Sequence, residues 1–174
     1  MSNRSLPAAV SAALVLCALA GLAQPTYAAL GGTPMPTPAD ATTTTLAPIT
    51  HAASSAQGAS GGATAAAAAA AYTVRSTTYS SGTQVREYVG ADGTVFGIAW
   101  NGPRMPDLQA LLGSYFPQYA SEVKAERAAL PGRRPVAVEQ ANLVVRSGGH
   151  MGSFFGQAWL PSALPTGVSG ADIK

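Results

Sequence analysis

Between Tyr72 and Trp100 the chain reads as strand. Apolar, β-branched and aromatic residues recur near every second position, and Ser81-Gly82 and Asp92-Gly93 separate the runs. Dipeptides of that kind punctuate hairpins. Treated as two-residue turns, they set the register of a three-stranded meander, with Val85 opposite Trp100, Glu87 opposite Ile98 and Val89 opposite Phe96 on one face. That face is the expected core. The other face would carry Arg75, Thr77, Tyr79, Gln84, Arg86 and Tyr88, and is expected to be wet. Gly148-Gly149 predicts a last hairpin by the same arithmetic, with Leu143, Val145, Phe154 and Ala158 on one side. Val144, Arg146, Met151, Phe155, Gln157 and Trp159 fall on the other, a mixed rather than cleanly polar surface.

Between the hairpins the period changes. Leu108, Leu111, Leu112, Tyr115 and Tyr119 recur at helical spacing, Pro106 and Asp107 suit a first turn, and Pro117 interrupts. One kinked helix or two short ones fit, continued by Glu122, Lys124, Glu126 and Arg127 as a charged surface until Pro131-Gly132. The order of strands, helix and strands predicts an α+β fold. It would be a small, mainly antiparallel sheet, a three-stranded meander plus a C-terminal hairpin, with one or two helices packed on one face.

Upstream, Gly31 to Ala71 is almost entirely Ala, Thr, Ser, Pro and Gly, with Asp40 the only charge. Such a segment lacks side chains to offset its ordering entropy, so residues 29–71 are expected to form a disordered tether, with Ala65–Ala71 briefly helical at most. The folded domain is then expected to be 72–174. Before the tether, Arg4, the apolar run Ala8–Leu22 and the break at Pro25 to Ala28 have the form of a cleavable signal peptide over residues 1–28. The expected location is periplasmic or secreted. The apolar run is shorter than the roughly 20 residues that span a bilayer, so no transmembrane segment is expected after cleavage. Cys17, the only cysteine, follows Leu14, Val15 and Leu16 and lies in the removed part, which argues against a lipid anchor, a disulfide or thiol chemistry.

The chain has Lys+Arg 10 and Asp+Glu 8; loss of Arg4 leaves 9 against 8, a net charge of +1. Nucleic acid is therefore not the expected partner, since phosphate binding rests on clustered basic charge. The one adjacent basic pair, Arg133-Arg134, sits among Pro131, Gly132 and Pro135 and reads as a solvated loop. His51 and His150 are the only histidines, too few to found a zinc site, and neither metal nor cofactor is expected. Gly152-Ser153 does not complete a nucleophile elbow, because Met151 and Phe155 occupy its glycine positions. Two weak catalytic candidates stand out. His150 shares a predicted face with Ser147, and Glu87 falls between Val85 and Val89 on the core face, where an unpaired carboxylate would hold its proton more tightly. Arg75, Arg86 and Tyr88 form a candidate surface for an anionic or sugar ligand, and Phe155 and Trp159 one for a partner chain or for a covering C-terminal segment from Pro161 to Pro165.

Several stretches together resemble a family of bacterial secreted proteins, the domain of unknown function 2844. They are Ala29-Leu30-Gly31-Gly32, Arg86-Glu87-Tyr88-Val89, Val95 through Pro103, Pro106-Asp107-Leu108 with Leu111 through Phe116, Leu143 through Met151, and Leu164 through Val168. The resemblance implies secretion and domain limits and supplies no catalytic residue. Two functions are expected to compete: a non-enzymatic module binding another envelope protein or an envelope polymer, and a small envelope hydrolase using Glu87 or His150 as acid/base. A cleft holding both residues would favour the second, a shallow aromatic surface the first.

Overall fold

A computed structural model describes residues 29–51, 70–130 and 134–174; the expected signal peptide with Cys17, and Arg133, lie outside them. The strands are β1 (Ala41–Thr45), β2 (Ile49–His51), β3 (Ala70–Tyr79), β4 (Gln84–Gly90), β5 (Val95–Gly102), β6 (Val136–Glu139), β7 (Val144–His150) and β8 (Ser153–Trp159). They form one sheet in the order β1-β3-β4-β5-β8-β7-β6, with β2 also on β3, and every strand pairing is antiparallel. The expected meander is β3-β4-β5 and the expected hairpin is β7-β8. Docking of β8 on β5 fuses them, and β1, β2 and β6 extend the sheet beyond the expectation.

The expected tether is corrected over residues 29–51. β1 and β2 both lie along β3, with Thr43 opposite Thr77 and Ile49 opposite Tyr72. Threonine, read as low complexity, is a β-branched strand former. Ala29 and Leu30 are buried; Leu30 bridges Val95 in parallel, and Gly31 N–H donates to the Val95 carbonyl at 2.8 Å. Ala70 and Ala71 begin β3 instead of ending a helix. Residues 52–69 of the expected tether lie outside the described residues.

The hairpin turns differ from the two-residue expectation, with unequal consequences. At the first, Tyr79 N–H donates to the Thr83 carbonyl at 2.9 Å around Ser80–Gly82, and Gly82 takes φ +83°. This is a three-residue loop with glycine in the left-handed region. The one-residue slip turns β3 over, so Arg75 opposes Glu87 and Thr77 opposes Val85 on the core face rather than on the wet one. The Asp92-Gly93 turn is also three residues long, closed by Gly90 N–H on the Thr94 carbonyl at 2.9 Å. Here the ladder absorbs the slip between Tyr88 and Val89, skipping Phe96: Val85–Trp100 and Glu87–Ile98 pair as expected, whereas Val89 meets Val95. The last turn is Met151-Gly152, because His150 pairs Ser153, and Gly148-Gly149 lies inside β7. That moves the pairing by an even number of residues, so the faces survive: Val145 opposes Ala158 and Arg146 opposes Gln157.

Helical residues 108–129 cover one face. Asp107 caps α1 (Leu108–Leu112) through Gln109 and Ala110 N–H at 2.9 and 3.1 Å, a single 3-10 turn at Gly113–Tyr115 makes the break, and Pro117 fits the first turn of α2 (Phe116–Ala129). Leu111, Leu112, Tyr119 and Val123 pack there on Val85, Ile98, Trp100, Leu143 and Val145. The second face has its own core, in which Tyr72, Val74, Tyr88, Phe96 and Trp159 lie with Val168 and Ile173. Residues 164–173 therefore cover part of the face expected to be wet. Ile173 is fully buried against Gly97, where a side chain on residue 97 would collide with it.

Candidate functional site

The covering segment crosses only part of the second face, and beyond Lys174 the sheet surface is left as a groove of about 510 Å³. Its floor is one row of residues across four strands: Arg86 opposes Ala99, Ala99 opposes Gln157, and Gln157 opposes Arg146. Adjacent strands are about 4.8 Å apart, so the α-carbons of the two arginines are separated by roughly 14 Å. Asn101 and Phe155, opposite each other one row further along, form the rim. Phe155 is 55% exposed and lies over Gly148, where a Cβ would press on its ring at 3.0 Å. Glycine at 148 thus seats the aromatic ring low on the sheet.

Both guanidiniums are held but not consumed. Arg146 donates Nε and Nη2 to Glu139 Oε1 at 3.0 and 2.6 Å, and its Cζ lies 5.4 Å from the Trp159 ring centroid. Its side chain and that of Glu139 are 52% and 56% exposed, and a pair so open to water is worth little. Arg86 donates to the Lys174 main-chain oxygen at 2.5 Å and to Gln84 Oε1 at 2.9 Å.

The other candidates lie elsewhere. Glu87 is 1% exposed on the helix-covered face, accepts Met35 N–H at 2.8 Å and meets Arg75 Nη1 at 3.4 Å. Burial pushes its carboxyl above the ordinary range, partly offset by the Met35 N–H and by the Arg75 charge. Arg75 also donates to the Met35 carbonyl and to Thr37 Oγ1 at 3.1 Å, so it pins residues 35–37 to the sheet and is corrected from ligand surface to structural partner. Tyr88, expected in the same ligand group, is buried and committed: its hydroxyl donates to the Lys174 oxygen at 2.7 Å and accepts Lys174 N–H at 2.9 Å. Trp159 is covered as the second alternative expected, but by the stretch with Val168, Gly170 and Ile173 and not chiefly by Pro161 to Pro165. His150 sits at the β7–β8 tip with Nδ1 3.0 Å from the Met151 carbonyl. Ser147, expected beside it, points to the other face and is buried near Tyr119, with the hydroxyls 3.4 Å apart. The structure therefore joins Arg86 and Phe155 in one site and separates Glu87, His150 and Arg75 from it. Among the described residues no three His, Cys, Asp or Glu side chains converge as metal ligands.

Arg146, Gln157 and Asn101 were missed as site residues. The mixed face on which Arg146 and Gln157 fell was the available signal, and only the β5–β8 pairing reveals that it continues into the face of Arg86. A family profile described as a protein of unknown function, DUF2844, matches residues 26–173. The chain belongs to that family. The match takes in residues 29–51 as well as the central strands, in keeping with their place in one DUF2844 fold. No curated protein and no solved structure matches the chain. Among the described residues no helix is long and apolar enough to cross a membrane.

Proposed function

We propose that this DUF2844 protein is an exported envelope component acting as a non-enzymatic binding module, with the groove over Arg86, Gln157 and Arg146 as its ligand site. The observation that carries this reading is the uncovered row itself: two guanidiniums and an amide lie on a rigid sheet floor beside an exposed aromatic ring. Side chains on strands whose backbone is already paired are well placed to grip a ligand without rearrangement. Glu87, by contrast, is enclosed with its partners, and His150 belongs to an exposed hairpin tip, so the two do not share a cleft. Acid/base chemistry needs a group within reach of its target and oriented by a third.

The test has two parts. Expression of the full chain, followed by intact mass of the exported form, should give a product beginning at Ala29; retention of residues 1–28 or a lipid adduct on Cys17 would refute the export scheme. In an envelope phenotype and a ligand-capture assay, Arg146→Gln and Phe155→Ala should lose function, while folded Glu87→Gln and His150→Ala should keep it. The opposite pattern would replace the binding module with the hydrolase.

A further inference from the structure

The chemistry of this groove also selects what fills it, and the inference rests on the groove being the ligand site. All floor positions belong to central strands: β4, β5, β8 and β7 each have a hydrogen-bonded neighbour on both sides. Their main-chain donors and acceptors are therefore engaged in the ladder, so an extended peptide gains no backbone pairing here, as it would at a sheet edge. Recognition falls to side chains. Arg86 and Arg146 offer forked donors suited to carboxylates, Gln157 and Asn101 offer amides suited to hydroxyls, and Phe155 offers a flat apolar face. The arginine α-carbons are about 14 Å apart, from three strand spacings, so an occupant that lies across the strands and bears carboxylates at intervals can meet both side chains.

The row also continues. Beyond Arg86 comes Ser76 and then Thr44, its cross-strand neighbours, and the surface there is a second shallow groove that also includes Thr78 and Gln84. Three hydroxyls and the Gln84 amide thus extend the track across the strands beside the apolar Leu46 and Ile49 and the Asp172 carboxylate, with Arg86 and Lys174 common to both grooves. The Arg146–Glu139 pair, half exposed, is easily exchanged for a ligand carboxylate.

We infer that the groove binds an acidic polysaccharide, a linear glycan with carboxylate-bearing sugars lying across the strands, its carboxylates on Arg86 and Arg146 and a sugar face on Phe155. The experiment is calorimetric titration of the folded protein at low salt with a galacturonic-acid oligomer, a neutral maltodextrin oligomer and a poly-glutamate peptide of matching charge. The galacturonate oligomer should bind at least tenfold more tightly than either control. Arg146→Gln and Phe155→Ala, both at exposed positions, should each weaken it about tenfold, with circular dichroism unchanged. Equal or tighter binding of poly-glutamate, sensitive to the same variants, would overturn the glycan and leave a ligand groove standing. Binding of galacturonate that ignores both variants, or no binding, would overturn the inference, while the capture assay with the same variants judges the binding-module reading separately.

Discussion

Replacing Arg75 with methionine tests what Glu87 is for. The Glu87 carboxylate is 1% exposed and has two polar neighbours, Met35 N–H at 2.8 Å and the Arg75 guanidinium at 3.4 Å. Arg75→Met removes the only opposite charge beside it among the described residues and keeps most of the apolar stem. Breaking a buried pair in this way costs about 3–5 kcal/mol. Because the Arg75 side chain is 17% exposed and some water reaches it, the lower end, about 3 kcal/mol, is expected. The cost depends on pH. Burial already holds the Glu87 proton more tightly than in the unfolded chain, and loss of Arg75 tightens it further. A group whose folded pKa is raised contributes its full stability below the unfolded pKa and loses it as pH rises through the folded one. Arg75→Met should therefore be more destabilising at pH 8 than at pH 5, and Glu87→Gln placed on top of it should restore part of the loss at pH 8. Urea unfolding of the two single variants and the double variant at both pH values measures this directly. An Arg75→Met variant within about 0.5 kcal/mol of the parent at pH 8, the spread of ordinary surface changes, would refute the buried pair. So would a double variant no more stable than Arg75→Met.

Three further outcomes are expected. A Cβ at Gly149, which has φ +125°, would overlap the Ser153 carbonyl oxygen and approach Phe154 Cα at 2.7 Å, whereas Gly152, at φ +86°, has nothing within 4 Å. Gly152→Ala should cost about 1–2 kcal/mol of left-handed strain and Gly149→Ala clearly more; equal melting temperatures would contradict the Met151-Gly152 turn. Tyr88→Phe keeps the ring among Tyr72 and Phe96 but deletes both bonds to Lys174, so stability should fall by about 1–2 kcal/mol and amide exchange at Ile173 and Lys174 should accelerate. Unchanged exchange would mean that the segment is held without the hydroxyl. His150→Ala should stay within about 0.5 kcal/mol of the parent by thermal unfolding, since the ring is exposed and its bond is to its neighbour's carbonyl; a larger loss would assign it a packing role.

Strand identity and helix identity were legible because side-chain periods of two and of nearly four residues are local properties. Register was not, because Ser81-Gly82 and Asp92-Gly93 contain the glycine of a three-residue loop but do not show that Ser80 and Ala91 belong to it. One extra residue moved Arg75 from the imagined wet face to the side of Glu87, which resolved the apparently unpaired carboxylate. The misplacement of the last turn did no such damage, since its even displacement left Arg146 and Gln157 where alternation had put them. Residues 29–51 were illegible as structure because their threonines and prolines satisfy a compositional rule for disorder while also suiting an edge strand. The groove was half visible: Arg86 and Phe155 were candidates, but only a long-range pairing of β5 with β8 puts them on one surface.

The β4–β5 hairpin is fastened from both directions along the chain. Met35 bonds Glu87 across 52 positions, and Lys174 bonds Tyr88 across 86. Contacts that distant in sequence form late, after the loop-closure cost has been met, and they slow folding. The order of synthesis makes this asymmetric: the upstream fastener is available early, but the second face stays bare until residues 168–174 have emerged. A nascent chain of this kind keeps its second face uncovered until that segment has been made. Truncation before Ile173 would then leave Tyr72, Phe96 and Trp159 as an open apolar surface, and the shortened product would be a substrate for aggregation or quality control instead of a smaller working domain.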